Sequence, residues 1–410
     1  MIEGSRLHGF VLGSILSTLS TAMSGAAAPP PKPTEIRSPA AAGSGEVNLA
    51  VGRDKLYMSW IAAHGEKKHL LQLAILDHGT WSAPRTIAES DRIFANWADF
   101  PSVVELADGS CAAHWLQRSG SGRYAYDVMV SRSKEGSAWD APVTPHRDGT
   151  QTEHGFVSLV PEDGAGVSAV WLDGRMFDGK EEGDPTAEMY LRWAQLAPGG
   201  PESETILDPR VCDCCQTAAV RTKRGLLVAY RDRSADEVRD ISLVRRDANG
   251  WTQPYELAND GWQIPGCPVN GPALDAMEDD VVAAWFTMRG EQSVVQVAFS
   301  SDGGATFSAP QRVDEGQALG RVDVVFLPGR DALVTWMETT DKGEASILAR
   351  RVGRSRMEAP FRVAETSAKR ASGFPRVVRR HDTLYFAWTD ATEPAQVRLA
   401  TLKIPRSWRE

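Results

Sequence analysis

Seven stretches of this chain share one pattern, a nearly unbroken apolar run with an aromatic ring near its end. They are LYMSWIA (56–62), CAAHWLQ (111–117), GVSAVWL (166–172), LLVAY (226–230), VVAAWF (281–286), ALVTWM (332–337) and LYFAWTD (384–390). Strands covered by sheets on both faces read this way. An alternating stretch and a turn precede several of them, as in FPSVVEL–ADG, TAAVRT–TKRG and FPRVVRR–RHD. A third strand follows, such as DVMVSRS, DISLVRR or VVQVAFS. A fragment that drifts in sequence then closes the unit: TWSAP (80–84), AWDAP (138–142), GWTQP (250–254), TFSAP (306–310) and RMEAP (356–360). Clear successive copies lie about 50 residues apart, the period of one four-stranded blade.

The pattern predicts an all-β fold, a β-propeller of four-stranded blades over residues 46–404. Seven units are counted, beginning near 47, 97, 153, 212, 267, 318 and 372, with six blades as the alternative if the first and last merge. The last unit lacks a closing strand. PTEIRSP (33–39), within the segment 29–45, is placed to supply it and clasp the ring, so that no sheet edge stays open. A β-sandwich pair does not require so regular a period.

Composition adds the setting. A net charge of −9 and the absence of a basic stripe exclude nucleic acid as the partner. FVLGSILSTLSTAM (10–23) is too short for a membrane span and runs into SGAAA, so residues 1–28 read as a secretory signal peptide. No later segment reads as a membrane span. The expected location is outside the cytoplasm, periplasmic or secreted, where five cysteines imply disulfides and one thiol left over.

SSDGGATF (300–307) fits the Asp box, Ser-x-Asp-x-Gly-x-Thr-Trp/Phe, through Ser300, Asp302, Gly304, Thr306 and Phe307. With it the chain resembles the sialidase-like propellers, in which this box is a structural turn between the third and fourth strands. The resemblance extends to three further blades. DFPSVVELADGS resembles the opening blade, where the family carries the first of three arginines that clamp a sugar carboxylate; Asp99 stands there instead. EHGFVSLVPEDG resembles the blade of the catalytic Glu and second arginine, implying those roles for Glu153 and Arg175. The blade of the third arginine is matched by LDPRVCDCC…YRDRSADEVRD, implying that role for Arg239. The strands expected to hold the family's tyrosine nucleophile, 270–288 and 320–338, contain no Tyr.

In a propeller the innermost strands start at one face of the channel. That places Cys212, Cys214 and Cys215 beside Cys267 of the next blade, near Asp99, Glu153 and His154. Three readings stay open for the cysteines: a covalent staple between blades, a thiolate site for copper or zinc that His154 completes, and a redox-active pair. Cys111, in a second strand, reads as a buried unpaired thiol. Further ligand-contact candidates are Arg175, Arg231, Arg239, His154 and Asn270. HGEKKH (64–69) and FDGKEEGD (177–184) read as solvated loops. The functional expectation is an exported propeller that binds a small polar or glycan ligand at the channel face, without ordinary sialidase activity. One alternative is an exo-glycosidase of sialidase type using Glu153 and Asp99 as a carboxylate pair. The other is a thiolate metal-binding propeller.

Overall fold

The structure, a computed structural model, describes residues 1, 2, 4, 30–181, 184, 186–340 and 344–409. Nearly all of the expected signal peptide, 1–28, lies outside the described residues. Residues from Pro31 to Glu410 form one compact unit. It is a β-propeller, and its antiparallel sheets among the described residues number seven, the first of the two expected blade counts. Their innermost strands are, in ring order, Ser44–Val51, Ser102–Glu105, His154–Pro161, Ala218–Thr222, Ala273–Met277, Ala318–Phe326 and Arg376–Arg380, defining blades 1 to 7. Each innermost strand packs beside those of the two neighbouring blades, and blade 7 meets blade 1.

The apolar second strands hold the ring together. Their fifth or sixth position carries Trp60, Trp115, Trp171, Tyr230, Trp285, Trp336 and Trp388 in turn, each at most 5% exposed. These rings sit in hydrophobic clusters that join successive blades, for example Trp336 with strands of blades 5 and 6. Full burial of such a side chain stabilises the fold by roughly 1.5–3 kcal/mol.

Ring closure follows the expected route. Thr34–Ile36 pairs antiparallel with Gln396–Lys403, Ile36 opposite Leu399, and becomes the outer strand of blade 7. The recurring closing fragment behaves differently from expectation. In blade 1 it forms only the pair Thr80–Trp81, and the outer strand resumes after Pro84 at Arg85–Ser90. Proline has no N–H to give the ladder, so the fragment marks a break in the outer strand. Blade 2 shows the extreme case: AWDAP forms no strand, and only Val143 bridges to Val130.

Three innermost strands carry a β-bulge at the same place, between Gly45 and Asn48, Gly155 and Ser158, and Gly320 and Asp323. Each bulge puts a non-glycine residue at positive φ: Glu46 at 48°, Phe156 at 54° and Arg321 at 52°. Such strain persists where surrounding structure holds it. All three bulges lie near the start of their strands, at the end of the channel that is termed the mouth.

The Asp box lies in a turn between third and fourth strands, the end of the blade away from the mouth. Asp302 accepts bonds from Thr306 N (2.9 Å), Thr306 Oγ1 (2.7 Å) and Ser300 Oγ (2.7 Å), while Gly304 takes φ 82° and Phe307 packs into the core between blades 4 and 5. Burial raises the Asp302 pKa, but the Thr306 and Ser300 donors outweigh it and hold the carboxyl at about 2. Its folded value lies below the ordinary one, so its stabilisation is present above pH ~4 and is lost as pH falls toward 2. Asp302→Ala is expected to lower stability in urea denaturation at pH 7 by about 1–3 kcal/mol, with a smaller deficit at pH 2–3.

Candidate functional site at the channel mouth

The segment before blade 2, IFANWADF (93–100), crosses the mouth. Trp97 stacks on Phe374 of blade 7 at 5.9 Å, and the Arg321 guanidinium of blade 6 lies 5.0 Å from the Trp97 ring. Ala98 C=O accepts a bond from Gln216 Nε2 of blade 4 (2.6 Å), and the Asp99 carboxylate accepts one from Phe156 N of blade 3 (2.6 Å). Gln216 Oε1 in turn accepts from Gly271 N of blade 5 (2.9 Å). A segment that touches blades 3, 4, 6 and 7 of a seven-membered ring lies over its axis. Beneath it runs a channel of about 180 Å³ lined by Asn48, Ser102, Ser158, Thr217, Asp323 and Arg376.

Asp99 is therefore an anchor. It is 5% exposed, and burial pushes its pKa up to about 7 against the pull of the Phe156 and Val157 N–H groups. It points at backbone, which corrects its expected place as a carboxylate facing ligand. Glu153 does reach partial exposure, at the start of blade 3. It accepts a hydrogen bond from Tyr126 Oη. Burial raises its pKa to about 8, with the negative charges of Asp99 and Asp213 adding to the rise. Tyr126 is fully buried and stacked on Phe94 at 4.4 Å. It opens the third strand of blade 2, outside the two blades where sequence comparison sought a tyrosine, and its position just after a mouth-side loop was the only signal.

The candidate arginines are all engaged. Arg175 grips Asp173 with Nε and Nη2, both at 2.7 Å, and also bonds Glu204 at 2.5 Å. Arg231 is 1% exposed and donates to the carbonyls of Asn270 (2.8 Å), Arg239 (2.5 Å) and Phe286 (2.6 Å). It is a strut between blades 4 and 5, not a ligand contact. Arg239 bonds Glu237 at 2.8 Å and Cys212 Sγ at 3.5 Å. Asn270 is a strut too: its Oδ1 accepts from Arg321 N (2.7 Å) and its Nδ2 donates to Leu319 C=O (3.3 Å). His154 is wholly buried among Asp127, Asp148, Asp173 and His146. It belongs to a different cluster from the cysteines, which corrects the expectation that it completes a thiolate site.

Partly open groups lie beside blade 4, and sequence reasoning passed over them. Arg233 forks onto Glu237 (2.8 Å) and approaches Asp213 (3.6 Å) and Glu188 (3.7 Å), while Arg210 lies 3.4 Å from Glu188. Glu188 Oε2, Asp213 Oδ1 and Arg210 Nε are left without hydrogen-bond partners.

Cys214 is disulfide-bonded to Cys267, Cα to Cα 6.1 Å, stapling blade 4 to blade 5. This leaves Cys212 and Cys215, 2.6 Å apart and buried, so the thiolate site expected for copper or zinc from Cys212, Cys214, Cys215 and Cys267 is reduced to two free sulfurs. Their C-x-x-C spacing is plain in the sequence once Cys214 is assigned elsewhere. Burial raises Cys212, but its bond with Cys215, backbone N–H and the Arg239 and Arg231 charges bring it below the ordinary thiol value, whereas burial and Cys212 push Cys215 up. Cys111 is buried and unpaired, as expected.

Solved structures similar to this chain include a lectin and a polysaccharide lyase. The BP39L lectin from Burkholderia pseudomallei is 11% identical over 88% of this chain and 96% of that one, with a TM-score of 0.62. A PL25 ulvan lyase bound to -[GlcA(1-4)Rha3S]- is 10% identical over 90% and 96%, with a TM-score of 0.56. The Hadza microbial sialidase Hz136 is 15% identical over 72% and 63%, with a TM-score of 0.43. At these identities the likeness is one of fold. No protein-family model and no curated protein matches the chain.

Two outcomes follow from the mouth's geometry. Cys267→Ser removes a bridge spanning 53 residues and is expected to cost about 4 kcal/mol in non-reducing denaturation. Glu153 has a folded pKa near 8, above its ordinary value, so its protonated form stabilises the fold below pH ~4.5 and that contribution is lost as pH rises to 8. Thermal midpoints measured from pH 5 to 8.5 are expected to fall less steeply in Glu153→Gln than in the unaltered protein.

Proposed function

We propose that this chain is an exported propeller that binds a small polar or glycan ligand on its mouth face, beside blade 4, without ordinary sialidase chemistry. One observation carries the reading. Each group at a clamp position is held inside the protein: Asp99 by Phe156 N, Arg175 by Asp173 and Glu204, and Arg239 by Glu237. A sugar carboxylate needs free guanidinium donors, and none of these positions offers one. The partly exposed set of Glu188, Arg210, Asp213, Arg233 and Glu237 instead presents donors and acceptors side by side, which suits hydroxyl groups. The lectin and lyase likenesses support sugar as the ligand class. Export is supported by the leader-like N-terminus and by the Cys214–Cys267 disulfide. Among the described residues no helix is long and apolar enough to cross a membrane.

A second reading has its own observation. Glu153 is partly exposed and carries its proton near neutral pH, the state a general acid needs. In that reading Glu153 protonates a glycosidic oxygen.

The test is a glycan array with the secreted protein, followed by titration of the best hit. Arg233→Ala and Asp213→Asn are each expected to weaken binding about tenfold or more, as loss of a hydrogen bond to a charged group implies. Fluorogenic sialosides are expected to stay intact. Sialoside turnover that disappears in Glu153→Gln would contradict the first reading and establish the second.

A further inference from the structure

Behind Glu153, between blades 2 and 3, buried side chains turn unfilled valences toward one another. His146 comes from the loop joining these blades, and His154 opens the innermost strand of blade 3. Their rings stack 3.8 Å apart and within 7° of parallel, and they are 5% and 0% exposed. Asp148 Oδ2 lies 3.3 Å from His146 Nδ1 and 3.3 Å from His154 Nε2. If those two nitrogens carry the ring protons, the lone pairs sit on His146 Nε2 and His154 Nδ1. Both atoms are buried without a hydrogen-bond partner, and so is Asp127 Oδ1, 3.8 Å from His154 Nδ1; His154 Nε2 and Asp148 Oδ2, 3.3 Å apart, are likewise not in hydrogen-bonding geometry. Asp127, His146 and His154 each bring a ligand atom within 4.8 Å of the other two. Buried polar atoms left empty in such number are rare in folded proteins.

We propose that Asp127, His146 and His154 bind one divalent transition-metal ion of zinc type, with Asp148 and Asp173 holding the histidines in place. Two imidazoles and a carboxylate select such an ion over calcium or magnesium, which take oxygen. Zinc ligands in tetrahedral array lie about 3.3–3.5 Å apart, so on binding the three ligand atoms, now within 4.8 Å of one another, draw together by up to about 1.5 Å and the stacked rings turn out of parallel so that both planes meet at the ion. A metal-bound histidine characteristically gives its other ring proton to a carboxylate, the position Asp148 occupies.

Charge balance points the same way. Arg175 and Arg192 are the guanidiniums among the carboxylates of Asp127, Asp148, Asp173 and Glu204. With neutral histidines the four carboxylates outnumber the two guanidiniums by two, in a site where Asp148 and Asp173 are buried and Asp127 and Glu204 are partly exposed. One divalent ion cancels the excess. Asp127, the ligand with the most exposure at 26%, marks the side from which the ion enters.

The site is independent of the ligand reading above and is tested without it. Chelator-treated full-length protein is titrated with Zn²⁺ by calorimetry, and with Co²⁺ by visible absorption. One equivalent is expected to bind, with His146→Gln and Asp127→Asn each weakening affinity at least 100-fold and Asp148→Asn weakening it about 10–100-fold. The Cys212→Ser/Cys215→Ser double variant is expected to bind as tightly as the unaltered protein. Absence of binding, or affinity unchanged in His146→Gln and Asp127→Asn, or affinity lost in the cysteine double variant, would overturn the proposal. Should a variant fail to fold, the unaltered protein still decides. Ring-nitrogen NMR signals of two histidines shift with one equivalent of Zn²⁺ if the site exists, and no shift overturns it.

Discussion

A ring of seven sheets leaves a hole on its axis, and this chain closes one end of it with its own Trp97, Ala98 and Asp99. The bond from Gln216 Nε2 to Ala98 C=O is the centre of that closure, because the same side chain accepts Gly271 N–H on its other atom. One amide thus ties the segment before blade 2 to blades 4 and 5. Asp99 ties it to blade 3, and the Arg321–Trp97–Phe374 stack ties it to blades 6 and 7. Two of these contacts are made by residues of the positive-φ bulges, Phe156 and Arg321.

Closing the mouth changes what every polar group around it can do. Asp99 and Glu153 lose water and rise toward neutrality, so neither presents a reliable negative charge at pH 7. Arginines whose positions resemble a carboxylate clamp become struts or paired ions. Arg231 satisfies three backbone carbonyls and packs its guanidinium 4.8 Å from the Trp262 ring. In the proposed function, ligand contact is displaced from the axis toward the partly exposed groups beside blade 4, where charges of both signs keep access to solvent.

The repeat was legible because its signals are local. An aromatic at the fifth or sixth place of each second strand, a turn on either side and the Asp box all lie within a few residues of what they shape. The closing role of Thr34–Ile36 was readable as well, because a last blade short of one strand demands a partner. The site was legible only as a face. Asp99 meets Phe156 from 57 residues away and Gln216 meets Ala98 from 118, so no local pattern announces either contact. The same holds for His146, which reads as an ordinary loop residue until the fold lays it on His154. The cysteines fall between these cases: a staple from the cluster to Cys267 follows from blade adjacency, but not that Cys214 makes it, and the structure leaves three thiols free, Cys111, Cys212 and Cys215, where one was expected.

The central claim is that the mouth is shut in the resting protein. Native-state hydrogen exchange at two amides, Phe156 and Gly271, tests it most directly, because each N–H is held by a side chain of the closure, not by a sheet ladder. The account predicts that both exchange as slowly as amides in the apolar second strands. Exchange at the rate of exposed loop amides would mean that Asp99 and Gln216 let go readily, that the channel axis is open, and that the ligand face has been placed wrongly.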